Sequence, residues 1–114
     1  MEMKTDIWVG ALIRRVEING AFATVARRGD PDGGDVLVKV ATLDGKARLY
    51  GTALAPSGET MFLDLSAGSL GDDEKAVDAY AERRAKIDPD LWVVEIEDKH
   101  GRHFLTEKVD AKPR

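Results

Sequence analysis

The sequence predicts an α+β fold: a single antiparallel sheet of five or six strands with two helices packed on one face, in the order β-α-β-β-β-α-β-β. Three observations carry that reading. Short apolar segments are parted by Asn-Gly, Asp-Gly and proline-containing turns, which is the punctuation of a strand-rich chain. Two stretches instead repeat their apolar residues at helical spacing, and elements of both kinds in this order suit an antiparallel sheet backed by helices. Finally, 114 residues allow one domain, spanning 1–114, with residues 1–5 and 108–114 expected to fray.

Ile7 to Ile18 is rich in β-branched and aromatic residues and stops at Asn19-Gly20. This predicts a strand with Trp8, Leu12, Val16 and Ile18 on one face. The same segment also carries a helical stripe of Trp8, Ala11, Leu12 and Arg15, so both periods fit residues 7–18. With Asn19 as N-cap, Phe22, Val25 and Ala26 recur at helical spacing. Gly29 then follows Arg27-Arg28 as a terminating glycine behind a basic last turn.

Asp30 to Asp35 is a loop by composition, and Val36 to Ala41 reads as a strand. Asp44-Gly45 favours a two-residue type I′ turn, which sets Leu43 opposite Lys46 and Val40 opposite Leu49. Ala55-Pro56-Ser57-Gly58 is a second turn, and Thr60 to Leu65 a further strand. The clearest helix starts within Ser69 to Asp73, with Val77, Tyr80, Ala81, Arg84 and Ile87 as its apolar stripe and Asp88-Pro89 as its stop. Leu91 to Asp98 is a strand, Asp98-Lys99-His100-Gly101 a turn, and Arg102 to Thr106 the returning strand of a hairpin. A ferredoxin-like core with an extra hairpin and a profilin-like sheet both accommodate this order.

Charge narrows the function classes. Seventeen Lys and Arg against 21 Asp and Glu give a formal net charge of −4, which argues against a protein that coats duplex phosphates. The acidic surplus lies in the second half: 8 basic and 7 acidic residues precede Gly58, and 9 basic and 14 acidic residues follow from it. Without cysteine there is no disulfide, thiolate zinc site or cysteine nucleophile. Met1 to Asp6 lacks a basic export region, and no stretch approaches the ~20 apolar residues of a membrane span. A cytoplasmic location is expected.

Both histidines and several acids crowd the segment from Asp88 to His103. Glu95 and Glu97, two apart on a strand, leave the same face roughly 6.6 Å apart, and His103 is placed across the hairpin from them. That trio is the basis of one enzymatic alternative, a metal-assisted hydrolase. Pro89-Asp90 with Glu97-Asp98-Lys99 spells a nuclease-like pattern, but an extended strand would hold Asp90 and Glu97 about 23 Å apart, too far to share an ion. Asp30, Asp32 and Asp35 resemble a calcium loop that has Ala41 where its bidentate acid belongs.

Arg14-Arg15, Arg27-Arg28 and Arg83-Arg84, with Lys39, Arg48 and Arg102, make a third reading, weak RNA or nucleotide binding. In a strand one of Arg14 and Arg15 points inward and must find a carboxylate, for which Glu95 is the expected partner. Glu95→Ala would then destabilise strongly. The leading reading is a non-enzymatic module that binds itself as a homodimer, or another protein, through a sheet edge or the hairpin from Glu95 to Phe104. Its expected binding residues are Arg14, Arg15, Glu95, Glu97, Arg102 and His103, with no catalytic residue, no cofactor and no bound metal.

Thr5-Asp6-Ile7-Trp8-Val9, Gly20-Ala21-Phe22-Ala23, Arg27-Arg28-Gly29-Asp30-Pro31-Asp32, Leu37-Val38-Lys39-Val40, Leu43-Asp44-Gly45 and the run from Asp88 to Asp98 together resemble the domain-of-unknown-function 1491 family of small alphaproteobacterial proteins. The resemblance spans nearly the whole chain and is thinnest from Ala53 to Asp73. It implies a bacterial cytosolic origin, and it brings no known activity and no assigned catalytic residue.

Overall fold

The computed structural model describes residues 3–111 and opens with a helix, α1 (Thr5–Ile18). The strand expected over residues 7–18 is therefore corrected to its helical alternative. Trp8, Val9, Leu12 and Val16 are buried, while Ile7 and Ile18 are 56% and 74% exposed. A period of two would have grouped Ile18 with the core; the 3.6-residue period expels it. Asn19-Gly20 ends this helix and starts no other. Gly20, at φ 84°, donates to Glu17 O and Ala21 donates to Val16 O, the paired bonds of a Schellman cap.

The helix expected after Asn19 is strand β1 (Phe22–Arg27). It is followed by β2 (Val36–Ala41), β3 (Ala47–Leu54), β4 (Thr60–Asp64), a 3₁₀ turn at Leu65–Ala67, α2 (Glu74–Ile87), β5 (Trp92–Glu97) and β6 (Val109–Asp110). The α+β class and the six-strand, two-helix count hold. The sheet, ordered β1-β5-β2-β3-β4-β6, is mixed: β5 runs parallel to β2 and β6 parallel to β4.

The two helices lie on opposite faces, where one face was expected for both. α1 covers Val36, Val38, Val40, Tyr50, Phe62, Trp92, Val94 and Ile96, whereas Val77 and Ala81 of α2 meet Leu37, Leu49 and Val93. The cause is in the strands. Every residue of β2 is buried, and Trp92, Val93 and Val94 are buried in succession, so both faces of the central strands need cover. Leu12, Val16 and Phe62 are completely enclosed, each contributing about 1.5–3 kcal/mol relative to exposure.

The β2–β3 connection forms where Asp44-Gly45 places it, but the register is one residue off the expected pairing. Val40 lies opposite Arg48, not Leu49, because Thr42 to Lys46 forms a wider loop with Leu43 and Gly45 at positive φ. An all-buried β2 gives pattern no means of choosing between the two registers. The Pro56 turn closes as expected, with Gly58 donating to Ala55 O.

In α2, Asp73 caps the first turn by accepting from the Ala76 amide. Ile87 departs from the expected stripe and is 81% exposed. After β5 the Asp98–Gly101 turn forms, with Gly101 N donating to Asp98 O at 2.9 Å, but no returning strand follows. Both sides of β5 are already taken by β1 and β2, so the Glu95 to Phe104 hairpin does not exist. The chain instead lays Phe104 and Leu105 over the α1-side core. It then adds β6, so Val109 and Asp110 belong to the sheet and not to a frayed tail. Residues 1–2 and 112–114, also expected to fray, lie outside the described residues.

Candidate interaction surface

Lys39 is the one charged residue of β2, and its side chain is 6% exposed. A buried ammonium needs counter-charge, and α2 supplies it from successive turns. Lys39 Nζ lies 2.8 Å from Glu74 Oε2, 2.7 Å from Asp78 Oδ1 and 3.7 Å from Glu95 Oε2 on the adjacent β5. Burial pulls its pKa down, yet the hydrogen bonds to Asp78 and Glu74 and the charge of Glu95 outweigh that and leave it raised. The carboxylate of Glu95 thus faces a lysine and not Arg14 or Arg15, which lie on α1 across the sheet.

α2 packs mainly on β2 and β3 and reaches β5 only at its Val93 end. That leaves a shelf on the α2 face made by Glu95 and Glu97 with their partners Thr24 and Phe22. Phe22 is 72% exposed. A bulge at Ala26 brings Arg27 opposite Val93, so Arg27 shares this face. At its outer side β1 is the end of the sheet, and no described strand pairs with it. From Phe22 to Ala26 it carries no charge. At the opposite end of the sheet the edge strand β6 is only two residues long.

The other expected site residues do not join this shelf. His103 lies on the α1 side, edge-on to Tyr50 at 4.9 Å, with Nδ1 accepting from the Leu105 amide. Burial lowers its pKa against the opposing charge of Asp64, which favours neutral imidazole. Arg15 donates to Phe104 O at 2.6 Å, and Arg14 is exposed on the outside of α1. Arg48 is bonded to Asp64, which also accepts from Ser66, a cluster under Tyr50 that residues so dispersed in sequence do not announce. Arg83 and Arg84 stack near Tyr80, and Arg28 lies 5.1 Å from the Trp92 ring. The arginines are therefore spread over both faces, most of them already engaged.

Arg102 folds back on Asp98, whose Oδ2 accepts from its amide at 2.8 Å and its Nε at 2.9 Å. The Arg102 hydrogen bonds hold the Asp98 carboxyl at about 2, below its ordinary 3.8. A depressed acid stabilises the fold fully above its ordinary pKa and loses that contribution as pH falls through the lowered value. Asp98→Asn is expected to lower the melting temperature at neutral pH, with the gap to wild type closing between pH 4 and 2. A gap that stays constant to pH 2 contradicts this role.

Two hollows, of about 330 and 900 Å³, lie beside Thr5, Gly34 and Thr52 and beside Trp8, Pro56 and Glu107; neither is lined by the expected site residues. Among the described residues no group of three His, Cys, Asp or Glu is placed to hold a metal ion, and no helix is long and apolar enough to cross a membrane.

Two helices flanking a mixed six-stranded sheet, an ion cluster tying α2 to β2, and a six-residue strand open at the β1 edge define a small α+β sheet protein. The chain belongs to the DUF1491 family, proteins of unknown function, whose family model matches residues 3–106. It is similar to the crystal structure of a DUF1491 family protein from Caulobacter crescentus CB15, at 56% identity and TM-score 0.87, covering 95% of this chain and 99% of that one. An NMR structure of a DUF1491 family protein from the same organism is 55% identical, with TM-score 0.84 over 97% and 99%. A protein from A. tumefaciens solved in solution is 33% identical, with TM-score 0.78 over 100% and 99%. No curated protein matches the chain.

Proposed function

We propose that this protein is a non-enzymatic cytosolic module that works by strand capture, the outer edge of β1 accepting an extended segment of polypeptide. One observation carries the reading: a six-residue edge strand whose first five residues are uncharged and whose Phe22 is 72% exposed. Sheet proteins ordinarily blunt such an edge with lysine, proline or a covering loop. Here the protection amounts to the bulge at Ala26 and the arginines that follow it. Backbone groups of β1 supply the affinity in this mode, and the shelf of Phe22, Thr24, Glu95 and Glu97 supplies selectivity.

A photo-crosslinking amino acid at Phe22, expressed in the native host, tests the reading. It is expected to yield a covalent polypeptide adduct that disappears when Thr24→Lys is added, while the same probe at Ile87 yields none. Absence of an adduct at Phe22, or one indifferent to Thr24→Lys, contradicts the proposal.

A further inference from the structure

We infer that the occupant of the β1 edge is a second copy of this chain, paired antiparallel about a two-fold axis so that Arg27 of each protomer faces Glu97 of the other. This inference rests on the strand-capture reading and gives it a partner and an orientation.

The argument begins from the polarity of the edge. On the α2 face, Glu97 and Glu95 stand beside Phe22 and Thr24 at the start of β1, and Arg27 stands at its end, opposite Val93. One end is acidic and the other basic. Antiparallel pairing of two identical strands reverses one against the other, so unlike ends meet twice by symmetry; a parallel pairing sets like against like. Two strand spacings, about 9.5 Å, separate one protomer's β1 from the other's β5, a span that an arginine and a glutamate extended toward each other bridge.

Arg27 is equipped for this contact. The exposed end of its guanidinium makes one hydrogen bond, from Nη2 to Pro89 O at a long 3.3 Å. A guanidinium carries five donors, so most of its capacity is unspent. The apolar part of the contact is at hand as well: Phe22 and Val25 of β1 are 72% and 40% exposed. Pairing β1 with its copy removes that edge from water and joins two sheets of six strands into one.

The test is charge reversal read by sedimentation velocity across a wide concentration range. Wild type is expected to reach twice the 12.5 kDa chain mass. Arg27→Glu and Glu97→Arg are each expected to dimerise at least about tenfold more weakly, since each places like charges together at both contacts. Mixed one to one, the two variants restore the dimer, because every contact again joins unlike charges; this rescue separates the contact from any folding defect. A wild type that stays monomeric overturns the second-copy inference, and the Phe22 adduct then decides strand capture independently. A dimer that survives both reversals but not Thr24→Lys overturns the two-fold charge match and leaves strand capture standing. A dimer that survives all three forms elsewhere on the molecule and overturns the second-copy inference, and the Phe22 adduct again decides strand capture.

Discussion

Lys39→Ala is expected to destabilise the fold by about 2–3 kcal/mol, because it empties the space of a buried side chain and leaves three partly exposed carboxylates without their shared counter-charge. For a domain of this size that lowers the melting temperature by roughly 8–12 °C. The residue sits at the centre of the sheet, and its ammonium is the one contact through which Glu74 and Asp78 of α2 and Glu95 of β5 are reconciled. Without it three carboxylates face one another over the apolar Leu37 and Val93.

Glu95→Ala is the informative contrast. Glu95 lies farthest of the three, at 3.7 Å, and its side chain is 34% exposed, so its loss leaves Lys39 held by two nearer acids. The expected cost is about 1 kcal/mol or less, in place of the large effect that a sole arginine partner would have implied. Since the folded pKa of Lys39 is raised above 10.5, the cluster is fully effective below that pH and fails only as pH rises through the raised value. Calorimetric melts of the two variants check this, and a Lys39→Ala protein melting within a few degrees of wild type refutes it.

Gly34→Ala is expected to be comparably damaging, at about 2–3 kcal/mol or more, for a steric reason. An added Cβ would lie 1.9 Å from Asp90 O and 3.1 Å from Trp92 Cδ1. Those neighbours cannot retreat cheaply. Asp90 O accepts from the Asp30 amide at 3.1 Å, Trp92 Nε1 donates to Asp30 O at 2.7 Å, and Trp92 N donates to Asp35 O at 2.9 Å. The loop from Gly29 to Asp35 is thereby clamped onto the entry to β5, and glycine lets the two backbones touch. Gly29 is placed alike, with its virtual Cβ 2.1 Å from the same carbonyl. Gly33 has nothing within 4 Å, so Gly33→Ala should change stability by no more than about 0.5 kcal/mol. Equal melting temperatures for the Gly33 and Gly34 variants would show that the clamp is slack.

The sequence made some of this legible and hid the rest for identifiable reasons. Turns were legible because Pro56, Gly58, Asp98 and Gly101 each meet a local backbone demand. So was α2, where acid at the start, base at the end and an apolar stripe agree. The first two elements were exchanged because Asn19-Gly20 serves a helix end as readily as a helix start. Phe22, Val25 and Ala26 had helical spacing but share no buried face; all three are exposed on the strand they form. A strand that is partly unburied leaves no clean period to read.

At the candidate site, Glu95 and Glu97 were correctly set on one face of a strand. The partner of Glu95 was missed, although a lone lysine inside Val-Leu-Val-Lys-Val-Ala demands a buried carboxylate, and Glu74 and Asp78 stand one helical turn apart to provide it. His103 lies away from Glu95 and Glu97 because a turn at Gly101 does not by itself return a strand; pairing depends on a free edge, and β5 has none. The open edge itself is a property of strand order, which no local pattern encodes.

Amide hydrogen exchange along Phe22–Arg27, followed as the protein is diluted, tests the open edge most directly. The amides of β1 that point away from β5 are expected to be protected at high protein concentration and to exchange freely on dilution, while those of β2 and β5 stay protected throughout. Outward β1 amides whose exchange is the same at every concentration would contradict association through this edge.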